Sequence, residues 1–166
     1  MHPWRSGLKE ALQLREQGEL LNAIALLQQL IHTYPEQDPL LYYELASNYD
    51  RLGEEKTAIP YYHQAIEQGL AGEERWKAFV QLGSSYRAIG DYEKANHVIQ
   101  QGLEEFPNHG ALRVFYAITA YNQGKMKDAM TVLLDLLLHF TNDPTILQYQ
   151  KALQFYCEHI DETWTS

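Results

Sequence analysis

Small and large apolar positions alternate with polar ones along the chain in an arrangement that returns four times. Gly18, Gly53, Gly90 and Gly124 are separated by 35, 37 and 34 residues, and five residues after each comes an alanine: Ala23, Ala58, Ala95 and Ala129. Seven residues before each stands another small residue, Ala11, Ala46, Gly83 or Ala117. Leu14, Tyr49, Tyr86 and Ala120 lie four before the glycines, and Leu27, Tyr62, Ile99 and Leu133 nine after them. This spacing predicts a helix ending at each glycine, a tight turn, and a second helix just beyond it. Small residues mark where the two helices touch, and large apolar residues fill the space around that contact. At the turns, glycine meets a left-handed conformation at least cost. Gly83 falls inside a predicted helix, where it costs about 1 kcal/mol relative to alanine, and is expected where a side chain would push two helices apart. Pro35 and Pro107 are expected to stop the second helices of repeats one and three.

The four copies cover approximately residues 4–37, 39–72, 76–109 and 110–143, and a capping helix is expected at approximately 144–160. Asp143 is its N-cap and Pro144 its first residue. Ile146, Tyr149, Leu153, Tyr156 and Ile160 form one apolar stripe on it, which Cys157 joins as a small filler. Pro60 is expected to kink the second helix of repeat two or delay its start. The stretch EQGLAGEER, residues 67–75, reads as a longer loop and the most flexible point, with Leu70 in place of a proline. The final residues, DETWTS, are expected to fray.

The best copy, WKAFVQLGSSYRAIGDYEKANHVIQQGLEEFP, combines Trp76, Leu82, Gly83, Tyr86, Gly90, Tyr92, Ala95, Gly102 and Pro107. That set resembles the tetratricopeptide repeat family, in its small, stand-alone bacterial form; LYYELASNYDRLGEEKTAIPYYHQAI is nearly as good a copy. Repeat one departs from the pattern at Gly7 and Glu10 and repeat four at Arg113 and Ala120, as terminal repeats do when one side is left uncovered. The resemblance implies an all-α, right-handed superhelical solenoid of about four helix-turn-helix repeats plus a cap, forming a single domain over residues 1–166. It implies a non-enzymatic protein–protein interaction module, a scaffold or adaptor, holding a partner's peptide or helix in a concave groove lined by the first helices.

In the family's register the groove positions are Arg5, Leu8, Leu12, Arg15 and Glu16, then Leu40, Tyr43, Ser47, Asp50 and Arg51. Repeat three adds Lys77, Val80, Ser84, Arg87 and Ala88, and repeat four adds Ala111, Val114, Ile118, Tyr121 and Asn122. Basic residues outnumber acidic ones in this set by five to two, although the whole chain carries a net charge of -9. The inversion points to a protein partner whose segment carries carboxylates, with apolar anchors at the groove's two ends. The competing expectation is that Arg15, Arg51 and Arg87 pair with neighbouring carboxylates. Some family members grip a C-terminal carboxylate with a Lys/Asn/Asn/Lys/Arg clamp. Its places here hold Leu8, Leu12, Glu44, Lys77 and Gln81, of which only Lys77 agrees, so binding of a chaperone tail is not expected.

Composition narrows the picture further. At 166 residues and 45% apolar content the chain can bury a core, and its acidic balance argues against nucleic acid or an anionic membrane as partner. The N-terminus has no signal-peptide pattern, and MTVLLDLLLHF is too short to span a bilayer and carries Asp135. With one cysteine, Cys157, a cytoplasmic protein is expected. His2, His32, His63, His97, His109, His139 and His159 are scattered without metal-ligand spacing, and every notable glycine serves the repeat, so no metal, cofactor or catalytic residue is expected. Tyr42, Tyr49, Tyr62, Tyr86, Tyr92 and Tyr116 fall on packing positions, whereas Tyr43 and Tyr121 do not.

Repeat four carries a surplus of apolar residues in KDAMTVLLDLLLHF. Ala129, Val132, Leu133, Leu136 and Phe140 form the stripe expected to face the core, leaving Met130, Leu134, Leu137 and Leu138 outside it. Phe155 likewise points away from the main stripe of the capping helix. Either that helix covers the surplus or a homodimer does. The alternative to a peptide-binding module is accordingly a structural homo-oligomer whose groove holds no extended ligand.

Overall fold

A computed structural model describes residues 4–34 and 38–164. Among the described residues the fold is all-α, with ten helices. They are α1 (Trp4–Glu16), α2 (Leu20–Thr33), α3 (Pro39–Arg51), α4 (Glu55–Glu67), α5 (Glu73–Ala88), α6 (Tyr92–Glu105), α7 (Gly110–Asn122), α8 (Met126–Phe140), α9 (Pro144–Leu147) and α10 (Gln150–His159). The first eight are the two helices of each of the four repeats. The chain divides into two compact units, residues 1–91 with α1–α5 and residues 92–166 with α6–α10.

The turn glycines do what their spacing predicts. Gly18, Gly53, Gly90 and Gly124 have φ between 76° and 83°, and a Cβ added to any of them would meet nothing within 4 Å, so conformation rather than space selects glycine. Each closes its helix with the same pair of backbone bonds; Gly53 N donates to Asp50 O at 2.9 Å and Glu54 N to Tyr49 O at 3.0 Å. The expected stop at Pro35 lies outside the described residues.

In the first unit, Trp4, Leu8, Ala11, Ile24, Leu27, Leu30, Leu41 and Leu45 form one buried cluster. Each fully buried leucine contributes about 2 kcal/mol. Gly7 lets α1 lie against α2, since a Cβ there would come 2.7 Å from Leu30 Cδ2. Asp38 caps α3 by accepting from Leu40 N at 3.0 Å, ahead of Pro39. α4 starts at Glu55 and runs through Pro60, so the proline does not delay the helix. The stretch expected to be most flexible is tied down. Gly69, with φ 85°, repeats the turn closure, Leu70 is buried, and Arg75 donates to the carbonyls of Ile66 and Leu70 at 3.2 and 3.0 Å.

In the second unit, Ala117, Ala120 and Ala129 form the small-residue contact between α7 and α8, flanked by Tyr116 and Val132. Tyr92, expected in the core, is exposed. The single capping helix expected over 144–160 is instead two helices. Asp143 caps α9 as predicted, accepting from Thr145 N at 2.8 Å, but Tyr149 N bonds to Ile146 O in a tight turn that ends the helix before α10 begins. Tyr149 and Tyr156 of the expected buried stripe are 60% and 43% exposed. On α8, Ala129 and Leu136 are buried as expected, whereas Leu133 and Phe140, assigned to the same stripe, are 41% and 60% exposed.

Candidate peptide groove on the first helices

α3 and α5 are the first helices of repeats two and three, and they are in direct contact. A cavity of about 320 Å³ opens between them, lined by Ser47, Asp50 and Arg51 of α3, Glu55 at the start of α4, and Gln81, Ser84, Ser85 and Ala88 of α5. Residues three, four and seven apart on a helix share a face, which is how α5 presents its four. The space exists because serines and an alanine stand where larger side chains would fill it. Five of the expected groove positions meet here: Ser47, Asp50, Arg51, Ser84 and Ala88.

The cavity is polar and its walls are fastened. Tyr62 Oη donates to Asp50 Oδ2 at 2.8 Å, and Ser85 Oγ lies 2.7 Å from Asp50 Oδ1, so one carboxylate ties together α3, α4 and α5. Burial pushes the Asp50 carboxyl above its ordinary value, against the two hydrogen bonds that hold it down. Burial likewise drives the Tyr62 phenol far up. Gln81 hydrogen-bonds the Tyr43 hydroxyl, whose pKa burial raises to about 12. The Oε1 of Gln81 is buried and has no hydrogen-bond partner.

The other expected groove residues fare differently. Leu8 belongs to the core cluster of the first unit, and Tyr43 is buried with its ring 6.1 Å from that of Tyr62. Neither presents a surface to a partner, which corrects the expectation for both. Leu12 packs on the same cluster, half-buried. Arg15 forms an ion pair with Glu44, which burial pushes above its ordinary pKa while Arg15 opposes the shift. Lys77 pairs with Glu73 at 2.7 Å, and the Arg5 guanidinium sits 5.6 Å over the Trp4 ring. Arg51 is exposed, and Val80, Ser84 and Arg87 are half-buried. Pairing thus removes Arg15 and Lys77 from the basic surplus and leaves Arg5, Arg51 and Arg87 against Glu16 and Asp50, so the five-to-two excess falls to three to two.

In the second unit, Val114, Ile118 and Tyr121 form an exposed row on α7, 36% to 61% accessible. Met130, Leu137 and Phe155 are exposed as expected, while Leu134 and Leu138 are half-buried. Among the described residues no group of His, Cys, Asp and Glu is arranged to hold a metal ion, and no helix is long and apolar enough to cross a membrane.

Ser85 was not among the expected groove residues, and Glu44 and Gln81 were named only as clamp places whose residue types do not match the clamp. The partner of Glu44 lies 29 residues away, so no local pattern announces it. Ser85 could have been found as the residue one turn from Gln81 on the same face.

The family described as Tetratrico peptide repeat matches residues 39–160, and a further Tetratricopeptide repeat family matches residues 5–36. No curated protein sequence matches. MamA from residue 41 to its end, from Desulfovibrio magneticus RS-1, superposes with a TM-score of 0.71 at 14% identity, over 79% of this chain and 72% of that one. A tetratricopeptide repeat protein from Parabacteroides merdae gives a TM-score of 0.74 at 19% identity, over 93% of this chain and 60% of that one. The repeats of a putative kinesin light chain from Podosopora anserina give 0.71 at 18% identity, over 97% and 90%. At these identities the likeness is one of fold.

Proposed function

The chain belongs to the tetratricopeptide repeat family, a protein-interaction fold, and from that premise we propose that it is a non-enzymatic binding module whose site is the cavity between α3 and α5. The occupant is an extended segment of a partner protein that carries carboxylates. The place of the cavity carries this reading: it opens between the first helices of two successive repeats, with the Gln81 amide on its wall. Ser47 and Ser84 offer hydroxyls to the segment's backbone. Arg51, exposed at the rim, supplies the positive charge, with Arg87 behind it on α5. Asp50 and Glu55 put two carboxylates in the lining against the one Arg51 cation, so the acidic groups of the segment lie toward Arg51 and Arg87 at the rim and its backbone lies over the serines.

Val114, Ile118 and Tyr121 give the second unit an exposed apolar row of its own, suited to an apolar contact with a protein partner. A single, half-buried cysteine is in keeping with work in the cytoplasm. A pull-down from the native host tests the reading, comparing wild type with an Arg51→Glu, Arg87→Glu variant of matched stability. Partners lost by the variant support the groove; identical profiles show that it is not used.

A further inference from the structure

Two carboxylates border the α3–α5 cavity, and the fold treats them differently. The hydroxyls of Tyr62 and Ser85 each hold one oxygen of Asp50. Glu55, the first residue of α4, is half-buried on the same lining, yet among the described residues its side chain makes no hydrogen bond and no ion pair. Glu44, the other carboxylate that α3 draws inward, has Arg15 as its counter-charge. A half-buried carboxylate gains free energy from a donor brought up to it, and the cavity gives one access to Glu55.

Arg51, the last residue of α3, borders the cavity too. It stands four residues before Glu55, a spacing that pairs opposite charges on one helix. These two leave different helices on either side of the turn at Gly53, and they do not pair. The cavity therefore presents an open cation and an open anion together. A segment bearing carboxylates alone satisfies Arg51 but sets its own charge against Glu55 and Asp50, which repulsion opposes. We propose that Glu55 selects the segment: beside its carboxylates the segment bears a lysine or arginine, whose cationic end enters the cavity against Glu55.

The inference rests on the reading of the cavity as a peptide site and narrows it, from an acidic segment to one of mixed charge. The rest of the lining suits a cationic head. An ammonium or guanidinium presents donors only, and each carboxylate oxygen has more than one lone pair, so Asp50 keeps acceptor capacity after Tyr62 and Ser85 are served. The Ser47 and Ser84 hydroxyls accept as well. Ala88 gives the aliphatic stem of the side chain an apolar contact. The carboxylates of the segment remain at the rim with Arg51 and Arg87, so each sign meets its opposite.

A displayed random-peptide library tests this on the full chain, selected in parallel on wild type, Glu55→Gln and Glu54→Gln. Glu54 is exposed and outside the lining, so its variant controls for the same loss of charge on the same turn. Peptides from wild type and Glu54→Gln should be rich in Asp and Glu and carry Lys or Arg at a fixed position. Those from Glu55→Gln should keep the acids and lose the fixed base. In the best wild-type peptide, replacing that base by norleucine should weaken binding about tenfold on wild type and less than about twofold on Glu55→Gln. Acidic peptides with no basic position overturn the inference and leave the acidic-peptide reading standing. So does a base whose loss costs the same on both proteins, or a preference that Glu54→Gln abolishes equally. Peptides without an acidic bias remove the reading on which the inference rests, and the inference with it.

Discussion

Asp50 on α3 accepts a hydrogen bond at 2.7 Å from Ser85 on α5, 35 residues further along the chain. The bond joins the two walls of the cavity, and Tyr62 from α4 holds the other carboxylate oxygen at 2.8 Å. Because burial raises the Asp50 pKa, the folded state binds this proton more tightly than the unfolded chain does. Its contribution to stability is therefore greatest below the ordinary carboxylate range and is lost as pH rises through the raised value. Asn at this position cannot titrate. Asp50→Asn should thus lose more stability relative to wild type at about pH 4 than at about pH 7. Urea denaturation at the two pH values checks this, and a gap that widens with pH contradicts it.

Arg15 and Glu44 form the ion pair that removes one cation from the groove. Removing Arg15 alone leaves a carboxylate buried without its counter-charge, so Arg15→Ala should cost about 3 kcal/mol. An apolar pair of similar volume has no charge to desolvate. Arg15→Met combined with Glu44→Leu should return to within about 1 kcal/mol of wild type. Chemical denaturation of the three proteins measures both values.

Tyr43 and Arg51 were expected to act alike as groove residues, and they should now separate. Truncating the buried ring in Tyr43→Ala should cost about 3 kcal/mol of stability. Arg51→Glu, at an exposed site, should stay within about 0.5 kcal/mol. Equal losses would show that Arg51 has a structural role.

Gly53 isolates the conformational part of the repeat. With φ at 76° and nothing within 4 Å of an added Cβ, Gly53→Ala should cost about 1 kcal/mol from the backbone alone. Asn tolerates the left-handed region better, so Gly53→Asn should cost less. Thermal melts of the two variants give the comparison.

The helix pairs were legible in the sequence because glycine at a left-handed turn and small residues at a helix contact are local demands that return with each repeat. The α3–α5 cavity was legible in part, since Ser47, Arg51 and Ser84 follow from the repeat register. Leu8 and Tyr43 share that register yet are buried, because their accessibility depends on how neighbouring helices pack over them. Leu133 and Phe140 show the converse. The helical wheel put both toward a core, but the helix that would cover them lies on the flank of Thr131, a choice made by tertiary packing and by the break at Tyr149. The Arg15–Glu44 pair has no local sequence signal.

Occupation of the α3–α5 cavity by a carboxylate-bearing peptide is open to direct selection. Selection of a displayed random-peptide library on the wild type, with counter-selection on Ser84→Trp, is the measurement, since the indole on the α5 wall obstructs the roughly 320 Å³ space. The enriched peptides should be rich in Asp and Glu, bind wild type, and lose at least tenfold in affinity, about 1.4 kcal/mol, on Ser84→Trp and on Arg51→Glu. Peptides that bind all three proteins equally, or that carry no acidic bias, would contradict the account.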